Sequence, residues 1–355
     1  MQLPYRDFRP ALTPPFAIAS NAVVIGRTVA GAGLTLRGYA TLRGDGEWIR
    51  IGANAFFGER ATVHIADGFI PTVVGDDVTV GRYALVHACT LGDGVVVADA
   101  ATVMDGATVG ARALIAPGAL VPPRKQLPGG FVYAGNPAQP LRAIAPDELA
   151  AAAAAIRRGA PDALGRDDDL PPLDLARYLP ADAGPGPLHP FAGRAPQLDR
   201  ALAATTSALV GDVRLAADAG VFFGCVVAAG GARIEIGARS NIQDNSILVT
   251  DATRGNLVVG ERVTFGHNVR MGSGTVEDDA LVGMSAKVGD GVVVERGGVI
   301  AAGAWVEPGT VVRAGWIWAG RPAREFRPLR PAEREGFDGI IAVYTGYASD
   351  YRGAP

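Results

Sequence analysis

Residues 91–121 read LGDGVVVADAATVMDGATVGARALIAPGALV, and an aliphatic returns at every sixth position: Leu91, Val97, Val103, Val109, Ile115 and Val121. A period of six matches neither the 3.6 of a helix nor the 2 of a flat strand. It fits short strands joined by regular turns in a parallel β-solenoid, with the aliphatics pointing inward and small residues easing the corners. Three hexads, eighteen residues, make one triangular coil. Working outward, Val276, Val282, Val288, Val294, Ile300, Val306 and Val312 keep the same period further along the chain. The two runs are copies: Gly26/Gly211, Ile51/Ile236, Val74/Val259, Val109/Val294 and Gly135/Gly320 all pair at an offset of 185 residues. The chain is therefore a tandem duplication of a unit of about 120 residues.

Composition agrees. Among 355 residues there are 48 Gly and 25 Pro, with 48% hydrophobic but only 7% aromatic residues, a bias toward small and β-branched types sufficient for two cores. A net charge of −3 carries no nucleic-acid signature. Cys89 and Cys225 occupy non-equivalent places in the two copies and read as buried thiols rather than a disulfide. Residues 1–10 carry charge and proline where a signal peptide needs an apolar core, and no apolar run long enough to span a membrane occurs, so the expected location is cytoplasmic. The alanine-rich stretch Asp147–Arg158 predicts a helix opened by Pro146-Asp147-Glu148, and residues 331–347 predict a second. Between the copies lies a segment dense in Pro, Asp and Gly. The predicted organisation is a first β-helix plus helix at 1–159, a linker at 160–197, and a second β-helix plus helix at 198–355.

The segments Thr41-Leu42-Arg43-Gly44-Asp45, Val63-His64, His87-Ala88-Cys89-Thr90-Leu91-Gly92-Asp93 and Ala134-Gly135-Asn136-Pro137-Ala138 in the first copy, with Ser240-Asn241-Ile242-Gln243-Asp244 and Val263-Thr264-Phe265-Gly266-His267 in the second, resemble the γ-class carbonic anhydrases. The resemblance covers both repeats. It implies a mainly β fold of two tandem left-handed parallel β-helices, each followed by a C-terminal α-helix. It also implies trimeric working units with zinc at subunit interfaces, held by three histidines. The ligand positions fall at 64, 82 and 87, where this chain has His64, Arg82 and His87; the second copy has Val249, His267 and Gly272. In the family the first and third histidines come from one subunit and the second from its neighbour, which matches the complementary loss. By the eighteen-residue coil, positions 64 and 82 stack, and 87 lies near the next edge, about 15 Å of extended chain away. Arg43 and Asp45 survive only in the first copy, and Asn241 and Gln243 only in the second. The resemblance makes these four the catalytic candidates, with Asp45 and Gln243 orienting hydroxide or substrate and Arg43 in an interface ion pair.

Three histidines with an open fourth position form the pattern of a catalytic zinc. The expected activity is reversible hydration of CO2 to bicarbonate by a metal-bound hydroxide at a composite site between the repeats, a carbonate dehydratase using Zn2+, with Fe2+ or Co2+ as alternatives. Glu59 and Asp67 are the acidic candidates to take up the released proton, and His189 reads as an ordinary surface or corner residue. The expected assembly is a homo-oligomer with mixed first-repeat/second-repeat interfaces, without nucleic-acid or membrane partners. A non-catalytic scaffold of the same family, or a hexapeptide acyltransferase, are the competing readings, since one fold hosts many functions.

Overall fold

A computed structural model describes residues 1–159 and 186–353, so most of the predicted linker lies outside the described residues. The chain divides into two compact units between residues 168 and 169. Each is a parallel β-solenoid, consistent with a hexapeptide-repeat left-handed β-helix.

In the first unit the hexad rule holds in register: Val103 pairs with Val121, Val97 with Ile115 and Val109 with Leu127, each one eighteen-residue coil apart. The prism has three faces. Two belong to one sheet, joined through the long strand Thr41–Ile51, which turns a corner and pairs with Thr62–His64 on one face and Thr72–Val74 on the next. The third face is a separate parallel sheet running from Phe16–Ile18 through Thr79–Val80 to Phe131–Ala134 and closed by the antiparallel strand Gln139–Ala143. Inward aliphatics from all three faces, among them Val63, Val86, Val103, Val80, Val97, Ile115, Val74, Leu91 and Val109, form a single core.

The corners differ from the sequence reading. Many left-handed corner positions are held by ordinary residues such as Tyr83 (φ 54°) and Arg112 (φ 56°), at a local cost of roughly 1–2 kcal/mol each that the ladder overrides. At Gly92, by contrast, glycine is needed for close approach: a Cβ would stand 2.7 Å from the backbone nitrogen of Ala111 in the next coil.

Coil length also departs from eighteen where the site forms. Val63 pairs with Val86, a spacing of 23, because the loop around the Ala66–Ile70 bridge lengthens that turn. The register places His64 beside His87, not beside position 82. The stacking of 64 on 82 expected from a uniform coil is thereby corrected: the inserted loop shifts the register by five residues.

The second unit repeats this plan, with Val288 on Val306 and Val294 on Val312 and its own core. Its first strands arrive earlier than the predicted boundary at 198: Leu188–His189 and Gln197–Leu198 both pair in parallel with Ala208–Leu215. At two residues each they are too short to show a hexad pattern in a stretch rich in proline. His189 is buried in this added strand.

Each solenoid is followed by a helix, α1 (Pro146–Arg157) and α2 (Pro331–Arg352). Their first residues, Pro146 and Pro331, keep the 185-residue offset, with proline in its favoured place in the first turn. α1 buries Leu149 and Ala152 against Val96, Leu114 and Val132. Arg157 in its last turn donates from Nε to Thr79 Oγ1 at 2.9 Å and from Nη2 to the Asn54 carbonyl at 3.0 Å. α2 runs five residues beyond the predicted end and buries Tyr344, Tyr347 and Ala348. The Tyr344 ring stands edge-on to Phe222 at 5.1 Å, and Tyr351 does the same to Phe223, contacts the sequence pattern did not contain. Among the described residues no helix is long and apolar enough to cross a membrane.

Candidate metal centre

In the first unit, parallel pairing of Thr62–His64 with Leu85–His87 sets two imidazoles side by side on neighbouring coils. Nδ1 of His64 and Nε2 of His87 face each other at 3.3 Å, and the ring centroids are 5.3 Å apart. Each ring's far nitrogen meets a carboxylate. His64 Nε2 lies 3.0 Å from Asp45 Oδ1, and His87 Nδ1 lies 2.7 Å from Asp105 Oδ1. Asp45 is itself paired with Arg43, both side chains fully buried. A carboxylate draws the imidazole proton to the nitrogen that faces it, so both near nitrogens are left to present lone pairs. Two lone pairs at that distance repel unless a cation lies between or beside them. The separation also suits a shared ion, since two nitrogens on one tetrahedral zinc with bonds of about 2.0–2.1 Å stand roughly 3.3–3.4 Å apart. The donor set therefore fits a divalent metal.

Arg43 and Asp45 thus belong to the support of His64. The Arg43–Asp45 ion pair lies within this unit. Arg82, on a different edge, donates from its backbone N–H and from Nε to the two oxygens of Asp99, at 2.7 and 2.8 Å. Glu59 is exposed and Asp67 half-buried on the 66–70 loop. Cys89, two residues from His87, is fully buried, and burial followed by the nearby Asp105 charge pushes its thiol far up, keeping it neutral.

In the second unit His267 is fully buried. Its Nδ1 lies 3.2 Å from Asp244 Oδ2, within ion-pair range though off the line of the ring N–H, and its Nε2 lies 3.2 Å from the hydroxyl of Tyr344 on α2. Asp244 is held by the Phe223 backbone N–H at 3.0 Å. Nearby, Asn241 donates from Nδ2 to Thr264 Oγ1 at 3.0 Å, and Gln243 donates from Nε2 to Asn241 Oδ1 at 3.1 Å. The thiol of Cys225 donates to the Gln243 backbone carbonyl at 3.0 Å. That chain leaves Gln243 Oε1 buried with no hydrogen-bond partner among the described residues. A buried acceptor of this kind in a native fold calls for a donor, from an ordered water or a bound molecule.

The positions where the resemblance expects histidine but this chain has another residue are held by local contacts. At Gly272 a Cβ would collide with the carboxylate of Asp290, which accepts from the Ser273 backbone N–H at 2.8 Å. In the first unit Phe56 stands where the second has Asn241, and Thr79, the counterpart of Thr264, accepts from Arg157. Asp105, Asp244 and Tyr344 were missed by the sequence reading. Asp105 lies eighteen residues after His87, one coil on, a spacing that could have singled it out; Tyr344 reaches the site only through helix packing.

No protein-family model matches the sequence. Over 148 residues the chain is 36% identical to "Gamma carbonic anhydrase 1, mitochondrial" of Arabidopsis thaliana, covering 39% of this chain and 53% of that protein. It is 34% identical over 171 residues to "Protein YrdA" of Escherichia coli, covering 46% of this chain and 93% of the relative. It is also 34% identical over 166 residues to "Carbonic anhydrase" of Geobacillus kaustophilus, covering 46% and 91%. The chain spans about half the length of the plant relatives it matches.

Proposed function

The chain belongs to the γ-class carbonic anhydrase family, and from that premise we propose that it catalyses reversible hydration of CO2 to bicarbonate at a divalent metal held by His64, His87 and His267. The single observation that carries this reading is the His64–His87 pair, whose facing nitrogens stand 3.3 Å apart with a carboxylate behind each ring. The third ligand is assigned by complementarity: the first repeat lacks the middle histidine and the second keeps only that one. Imidazole donors suit Zn2+, Fe2+ and Co2+, with zinc the first choice.

When bound, such a metal supplies a Lewis acid that brings the pKa of a water near 7. The chain's own groups do the rest. Asp45, backed by Arg43, and Asp105 hold the two rings. Gln243 Oε1 accepts from the O–H of the attacking water or of bicarbonate, while Asn241 fixes the Gln243 amide. His267, buried with Asp244 and Tyr344, contributes its ring from the second repeat. The same reading places the protein in the cytoplasm as a homo-oligomer with mixed first-repeat/second-repeat interfaces.

The test is elemental analysis of protein purified without chelator or tag-borne metal, beside a His267→Ala variant. About one metal ion per chain in the parent, lost in the variant together with CO2 hydration, is the expected result. A parent that stays metal-free after reconstitution would sink the reading and favour a duplicated scaffold.

A further inference from the structure

Aspartates recur at the corners of both solenoids with one habitual task. Asp93, Asp99, Asp278 and Asp290 each turn a carboxylate oxygen onto the backbone N–H seventeen residues earlier, at Asp76, Arg82, Glu261 and Ser273, over 2.7–2.9 Å. Asp105 breaks the pattern. Eighteen residues after His87, its Oδ1 accepts from the imidazole Nδ1 at 2.7 Å. The duplication supplies an internal control, because Asp290 is the counterpart of Asp105 and Gly272 the counterpart of His87. Where the ring is absent, the carboxylate falls back onto the Ser273 N–H and hydroxyl, at 2.8 and 3.2 Å. Where the ring is present, the backbone N–H of Ala88 is satisfied instead by the His64 carbonyl at 3.0 Å, and the carboxylate is released for the imidazole.

We propose that Asp105 is a positioning residue that fixes the Nδ1–H tautomer of His87 and thereby presents Nε2, facing His64 Nδ1, to the cation. The inference rests on the metal reading above. An imidazole offers a lone pair on only one nitrogen at a time, and its orientation is set by what holds the other. Without the carboxylate, His87 can carry its proton on Nε2, pointing a hydrogen at the place the cation would take.

The experiment compares the full-length parent, Asp105→Ala, Asp105→Asn and Asp93→Ala, the last removing an ordinary corner aspartate. Zinc affinity is read by competition with a chromophoric chelator, and the His87 tautomer from 15N shifts of metal-free protein. Expected are a fall in affinity of about 10–100-fold for Asp105→Ala, partial rescue in Asp105→Asn, whose amide oxygen can still accept from Nδ1, and parental affinity in Asp93→Ala. In the metal-free parent His87 should be the Nδ1–H tautomer, and in Asp105→Ala that preference should be lost. Parental affinity and tautomer in Asp105→Ala, with a parent that binds zinc, would overturn this inference alone. An equal loss in Asp93→Ala would also overturn it, by showing a general effect of corner aspartates. A parent that binds no zinc overturns the underlying reading, and this inference with it.

Discussion

At the residue scale the histidines proposed as ligands each have a carboxylate beside them: Asp45 behind His64 and Asp105 behind His87 in the first unit, and Asp244 beside His267 in the second. Backing of this kind fixes which nitrogen is offered and raises ligand basicity. Gln243 is given a different place in the proposal, because its buried Oε1 has no hydrogen-bond partner among the described residues. Gln243→Leu should therefore leave bound metal unchanged while lowering kcat by about 10–100-fold, the size of losing one hydrogen bond to a charged or strongly polar partner. Parallel metal analysis and stopped-flow CO2 hydration check this, and loss of metal in the variant would reassign Gln243 to the ligand framework. The histidine positions and the Asp45 and Gln243 candidates were legible because they lie in local motifs. Asp105 lies in no such motif; its eighteen-residue spacing from His87 marks the same corner one coil on, but the hydrogen bond itself shows only in the structure.

At the element scale the strands are interchangeable and the irregularities do the specifying. The 66–70 loop lengthens one coil from 18 to 23 residues and so brings His87 beside His64. A period read from Leu91 to Val121 lies downstream of that insertion and could not report it. The helices are the second irregularity. The start of α2 is clamped by Glu333, which accepts both guanidinium N–H groups of Arg327, at 2.8 and 2.6 Å, and the Arg330 backbone N–H at 2.9 Å. The Arg327 hydrogen bonds, then the backbone bond, hold its carboxyl down to about 2 from an ordinary 4.5. A depressed carboxylate stabilises the fold above its unfolded pKa, and that contribution fades as pH falls through the folded value. The difference in thermal stability between the parent and Glu333→Gln should therefore be full above about pH 5 and shrink toward zero near pH 2. A difference that stays constant with pH, followed by circular dichroism, would refute the clamp.

At the scale of the whole molecule, the two copies differ at the positions where the family resemblance expects histidine: the first keeps His64 and His87, the second His267. The positions without histidine have local partners, Arg82 on Asp99 and Asp290 against Gly272. Because the unfolded chain scatters these ligands, metal binding should report as folding stability. At free zinc of 100 times Kd the gain is about 2.7 kcal/mol, roughly 5–11 °C in Tm for units of this size. Calorimetry with and without zinc measures it, and His267→Ala should abolish the shift. An unchanged shift in that variant would place the ion elsewhere.

The sequence by itself determined the architecture and named the candidate ligands, because a six-residue aliphatic period admits a solenoid core and little else, and a gapless 185-residue offset can only be duplication. What only the tertiary structure decided is which groups act together within each unit. Pairing His64 with His87 depends on an inserted loop, and recruiting Asp105 depends on contact between successive coils. Tyr344 reaches His267 because a helix 77 residues further along the chain packs against the prism. Hydrophobic periodicity is a local property that survives in one dimension, whereas hydrogen bonding between side chains is set by through-space distance, which that pattern does not encode.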